Sequence, residues 1–202
     1  MRRIPWWALA SAGAAPVLLI GGFALAEARQ PSSYDPIRDT ISALAALGAT
    51  DRWIMTSALT GLGACHVITA AGLRPMQNQA RVVLAAGGVA TVLVATFPQP
   101  TRGNSVAHTV AATVAFIALG VWPALSATRT GGGPLLRGWV PIGASVALLG
   151  LVVWFAAELD GGQRGLAERA AASAQALWPL AVVVTTHRAL ERRESGESPG
   201  SL

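Results

Sequence analysis

His66 and His108, with a few carboxylates, are the residues of this chain best placed to exchange a proton or hold an ion. His108 follows the polar stretch FPQPTRGNSVAH at 97–108 and stands just inside an apolar run. An imidazole titrates near neutral pH, so at a membrane rim it can bind a proton, a metal or an anionic head group. Its bland alternative is to donate to a neighbouring backbone carbonyl. Glu27, Asp39 and Glu158 flank other apolar runs on the side where the topology below also puts His108. One histidine with two or three carboxylates is the composition of a metal site or of an acid–base pair. No HxxxH or HExxH spacing is present, so the metal reading has little support. Arg38, Arg102 and Arg164 are available to neutralise the acids in surface pairs. Asp39 near a helix start also has a purely structural use, because the helix dipole favours an acid there. His66, beside the lone Cys65, and Gln175 lie deep in apolar runs. Both read as ties between helices, each needing a hydroxyl or carbonyl partner.

The elements that position these groups are apolar helices. The 202 residues are 52% hydrophobic and 12% charged, about half the charge of an ordinary soluble domain. Runs nearly free of charge at about 5–26, 52–73, 81–98, 104–128, 138–158 and 167–187 are each long enough to cross a bilayer as a helix. They lack the alternating polarity of barrel strands. The fold class is therefore all-α, a polytopic bundle of six transmembrane helices over 1–190, followed by a polar tail at 191–202 expected to be disordered. Tryptophans at 6, 7, 53, 122, 139 and 178 fall mostly near run ends, where indoles prefer the interface. Gly61, Gly63, Gly87, Gly88, Gly143, Ala147 and Gly150 are candidates for close helix contact. The first run, from MRRIPWW to ALA at 24–26, has the outline of a cleavable signal peptide, but its length favours a retained span. In the first long connection, 36–47 reads as a short interfacial helix, with Asp35 as cap, Pro36 at the first position and Gly48 at the stop.

With both termini in the cytoplasm of a cell-membrane, multi-pass protein, nine of the fifteen arginines fall inside. That bias has the sign of the positive-inside rule. The arginines are scattered and form no basic face, so the net charge of +5 implies no nucleic-acid partner. The single cysteine excludes an intramolecular disulfide and a cysteine-cluster metal site. No phosphate loop, dinucleotide fingerprint, GxSxG or lysine is present, so no cofactor and no metal is expected. In the opening stretch, Pro98, Pro100 and Gly103 read as turn chemistry, and Asn104 or Ser105 as the cap of the next helix.

The segment DTISALAALGATDRWIMTSALTGLG at 39–63, with FPQPTRGNSVAH one helix later, resembles the six-helix bacterial membrane family known as domain of unknown function 998. A more distant likeness is to the Frag1/DRAM/Sfk1 membrane proteins, which are tied to lipid homeostasis. The family pattern carries over onto Ser42, Gly48, Pro98 and His108. Relatives often have an aspartate after the Phe-Pro pair, where this chain has Gln99 and Pro100, which puts catalysis through that acid in doubt. The resemblance supplies no reaction. The leading expectation is an outward-facing polar pocket of His108, Asp39, Ser42, Glu27, Glu158 and Arg102. It would bind membrane lipid by its head group or a small ligand, or serve a membrane protein partner. The alternative is a membrane enzyme acting on lipid, using His108 with Asp39 or Glu158. A second alternative is a small transporter, against which stand the missing mid-membrane charge pair and the missing inverted repeat.

Overall fold

The computed structural model describes residues 3–128 and 133–195. Its helices are α1 Trp6–Glu27, α2 Ile41–Leu44, α3 Trp53–Gly72, α4 Asn78–Thr96, α5 Val106–Leu125, α6 Val140–Ala157 and α7 Arg164–Glu194, with a short 3-10 turn at Pro134–Leu136. Among the described residues there is no strand beyond an isolated bridge between Thr128 and Arg137. The chain is all-α, as its apolar runs require. Five helices, α1 and α3 to α6, are long and apolar enough to cross a membrane. The sixth apolar run lies within α7, whose 31 residues span about 46 Å at 1.5 Å per residue. It is less uniformly apolar because Glu168, Gln175 and Thr186 are buried in the bundle. Six long helices running up and down bring the two chain ends together, and Arg3 pairs with Glu194 at 2.7 Å. The polar tail expected at 191–202 begins later, since α7 continues to Glu194, and 196–202 lie outside the described residues.

The apolar side chains left on the surface face where lipid would be. Trp6, Trp53 and Trp139 are exposed at helix starts, which suits indoles at an interface. Trp122 departs from that pattern. It is fully buried, in a core with Leu73, Leu84, Leu136 and Val182 that fills the end of the bundle where Arg3 and Glu194 meet. Small residues set the helix contacts only on some faces. A Cβ on Gly88 would stand 2.6 Å from the carbonyl oxygen of Gly63, so α3 and α4 meet backbone to backbone. A Cβ on Gly143 or Gly150 would meet nothing within 4 Å among the described residues, so neither position requires glycine for a close helix contact there.

The connection between α1 and α3 folds across the other end of the bundle. Leu47 N–H donates to Gln99 O at 2.9 Å, and Leu166 N–H donates to Ile37 O at 3.0 Å. A Cβ on Gly165 would collide with the carbonyls of Asp39 and Pro36, so only glycine lets α7 start beneath this strap. Within 36–47, helix is confined to Ile41–Leu44. Its cap is Thr40, whose hydroxyl accepts from Ala43 N–H at 3.1 Å. Asp35 does different work: its carboxylate accepts from Ile37 N–H at 2.9 Å, and turns through Arg38 and Asp39 precede the helix.

Candidate functional site

The residues picked out from the sequence do not gather around one cavity. His108 is 3% exposed, and its Nδ1 lies 2.9 Å from Phe97 O, the backbone-carbonyl role of a structural histidine. Ser105 caps α5 by accepting from His108 N–H at 3.2 Å, and Gly103 takes the left-handed conformation that closes the turn, at φ +77°. Glu158 accepts from Gln163 N–H at 3.0 Å, within the turn joining α6 to α7. Arg102 is exposed in the α4–α5 connection. The Asp39 carboxylate accepts from Asp35 N–H at 2.9 Å, inside its own turn. Among the described residues no three His, Cys, Asp or Glu side chains are placed to hold a metal.

Two other polar centres are built under the strap, both from α7. The first is Arg169. Its guanidinium pairs with Glu27, donates to Asp39 O at 2.8 Å and to Gly165 O at 2.9 Å, and donates to the Tyr34 hydroxyl. It also stands 5.6 Å from the centre of the Phe23 ring. One fork of donors thus joins the end of α1, the strap and the start of α7. Tyr34 in turn donates toward Thr40 O at 3.3 Å. Burial pushes the Tyr34 phenol from 10.0 up to about 12, and the adjoining Arg169 cation opposes that rise without cancelling it. A raised folded pKa means that the neutral phenol stabilises the fold fully below pH 10, and this contribution is lost as pH climbs toward about 12. Because the chain has one tyrosine, ultraviolet titration of phenolate reads it alone. The expected midpoint is near pH 12, coincident with an alkaline loss of stability that Tyr34→Phe lacks.

The second centre is Glu168, 4% exposed. Its carboxylate accepts from Ile41 N–H, from Ser42 N–H at 3.4 Å and from Ser42 Oγ at 2.8 Å. Glu168 therefore holds the first turn of α2 against α7. Two backbone N–H groups and one hydroxyl face it, the partners that carboxyl oxygens need once they have left water. Beneath α2 lies a cavity of roughly 60 Å³, space on the order of five water-sized positions. Leu59, Leu62, Val94, Phe116 and Leu119 supply apolar walls, and Ser42, Glu168, His66, Thr91 and Gln175 the polar groups.

His66 is the exceptional member. It is 1% exposed, and neither ring nitrogen has a hydrogen-bond partner. The hydroxyl or carbonyl expected to satisfy it is missing, although the backbone of α4 passes close beside it at Gly88. Leaving such a group buried and unpaired costs about 1–3 kcal/mol. Gln175 does tie helices, through Nε2 to Phe116 O at 2.9 Å. Thr91 gives its proton to Gly87 O at 2.9 Å, which leaves oxygen lone pairs toward the cavity it lines.

Of the expected site residues, Ser42 alone reaches this cavity, while Glu27 and the Asp39 carbonyl meet at Arg169. Glu168, Arg169 and Tyr34 were not among the candidates. One available signal was spacing: Glu168 and Gln175 are two helical turns apart on one face of the last apolar helix. A model of the family described as protein of unknown function (DUF998) matches residues 12–185. No curated protein and no solved structure matches the chain, and the more distant likeness to the Frag1/DRAM/Sfk1 proteins gains no support.

Proposed function

The chain belongs to the DUF998 family, whose description assigns no activity, and its long apolar helices are those of an integral membrane protein, so the reading rests on the cavity, and we propose that it binds a small ligand beneath α2. His66 carries this reading: a buried histidine with both nitrogens unpaired lines a cavity that three other helices supply with polar groups. An unpaired buried polar group is costly, and a ligand or water that completes it offsets the cost. The packed core around Trp122 fills the opposite half of the bundle, which favours a one-sided binding pocket over a transport path. The engagement of His108 by Phe97 O removes support from an enzyme built on that residue. In this reading the α2 end lies away from the cytosol of a cell membrane, which the arginine bias supports, with lipid around the exposed apolar faces.

The test is His66→Leu, a change of similar size. In empty protein it is expected to raise the unfolding midpoint in detergent, by the equivalent of about 1–2 kcal/mol, because an unsatisfied group is replaced by an apolar one. The same variant should lose stabilisation by ligands found in a thermal-shift panel of small amines, alcohols and carboxylic acids. A lower midpoint would mean that His66 serves the fold and would sink the proposal.

A further inference from the structure

We infer that the cavity beneath α2 selects a compact organic cation, of which a small primary ammonium is the type, and rejects anions. This rests on the reading of the cavity as a ligand site and names the class of ligand. The first argument is charge. The lining contains one carboxylate, Glu168, and no arginine. Arg169, the adjacent residue in sequence, has its guanidinium engaged by Glu27 and Tyr34, and is absent from the lining. An anion entering here therefore meets the Glu168 oxygens and finds no cation to pair with.

The second argument is the count of donors and acceptors. Neutral His66 offers one N–H and one bare nitrogen, both unpartnered. The Thr91 hydroxyl has already given its proton to Gly87 O and presents oxygen, and Gln175 has used one of its two Nε2 protons on Phe116 O, which leaves Oε1 and one N–H. Acceptors therefore outnumber donors around the empty space. An ammonium brings three donors and no acceptor, and its short alkyl part has Leu62 and Phe116 to lie against. A phosphate or carboxylate, the usual charged part of a lipid head group, brings the opposite pattern on both counts.

The experiment places a reporter thiol in the cavity: Thr91→Cys in a Cys65→Ala background, which removes the chain's one native cysteine. Two methanethiosulfonate reagents of similar size, 2-aminoethyl (cationic) and 2-sulfonatoethyl (anionic), are compared. Each rate is divided by that with a free thiol in solution. The expected normalised preference for the cation is roughly tenfold, falling severalfold in Glu168→Gln. A ratio near one, or a preference for the anion, while the neutral methyl reagent labels the same thiol, overturns the ligand class and leaves the binding site standing. Failure of all three reagents to react overturns the binding site itself. If Thr91→Cys does not fold, Ala115→Cys places the reporter on α5 in the same lining. As a direct measurement, ethylammonium chloride should raise the melting temperature of the wild type and leave His66→Leu unchanged. Equal stabilisation by sodium acetate at matched ionic strength would count against the inference.

Discussion

Glu168→Ala is expected to destabilise the protein by about 3–5 kcal/mol and to release α2 from the bundle. The carboxylate is buried and accepts from two backbone N–H groups and one hydroxyl on Ile41 and Ser42. Truncation removes the acceptor and leaves the donors in place at Ile41 and Ser42, and Ile41 is only 3% exposed. α2 has four residues and too few internal bonds to hold itself together. Beyond Glu168 and the Arg169 contacts to Asp39 O and Tyr34, the strap that carries it is held by isolated bonds such as Leu47 N–H to Gln99 O. Hydrogen exchange at the Ile41 and Ser42 amides should accelerate by far more than at α3 or α4, because local opening becomes cheaper than global unfolding. Glu168→Gln keeps one carbonyl oxygen for the backbone donors and is expected to lose about half as much. Ser42→Ala, which removes one donor, should cost about 1 kcal/mol and be nearly silent in the Glu168→Ala background. A loss under about 1 kcal/mol in Glu168→Ala, with unchanged exchange at 41–42, would show that apolar contacts alone seat α2.

The difference between what the sequence disclosed and what it withheld follows from the range of the interactions. Crossing a bilayer demands long runs without charge, and that demand is local, so the six long helices were legible as apolar runs, although α7 extends to Glu194, beyond the run that ended at 187. The turn at 98–105 was legible for the same reason: Gly103 and Ser105 act on their immediate neighbours. The site depends on pairings between residues far apart in the chain. Ser42 and Glu168 are separated by 126 positions, and Arg169 and Glu27 by 142. Nothing in composition or spacing fixes which acid meets which donor at such distances. His108 drew attention by its polarity, yet a backbone carbonyl eleven residues back was enough to satisfy it. His66 was expected to be satisfied because buried polar groups nearly always are. Its partner is absent although the backbone of α4 comes close at Gly88, and residue types do not disclose how a ring nitrogen is aimed. Asp35 was the natural cap for a helix over 36–47, but its carboxylate is used in the turn before the helix, and Thr40 takes over.

The second large effect is expected at Arg169. Arg169→Met keeps much of the side chain's bulk and removes the donors, and is predicted to cost about 3–5 kcal/mol. Four partners lose their cation at once: the Glu27 carboxylate, the Asp39 and Gly165 carbonyls and the Tyr34 hydroxyl. Glu27 is 21% exposed and becomes a carboxylate partly removed from water with nothing to neutralise it. Much of the loss is therefore a penalty on the survivor, which a second change can relieve. Glu27→Gln alone should be costly, but added to Arg169→Met it should cost little, giving a coupling of about 1–3 kcal/mol. Arg169→Lys separates charge from geometry. A lysine keeps the attraction to Glu27, but one ammonium cannot also reach two carbonyls and a phenol set around a planar fork, so only part of the stability should return. Tyr34 supplies a readout independent of unfolding. The Arg169 cation restrains the rise of the Tyr34 phenol against burial, so in Arg169→Met the phenolate should form at still higher pH than in the wild type, while Arg169→Lys should fall between them. If the tyrosine instead titrates at its ordinary pH in Arg169→Met, the strap has lifted away and exposed the phenol. The arginine would then be what keeps the strap closed over the end of the bundle.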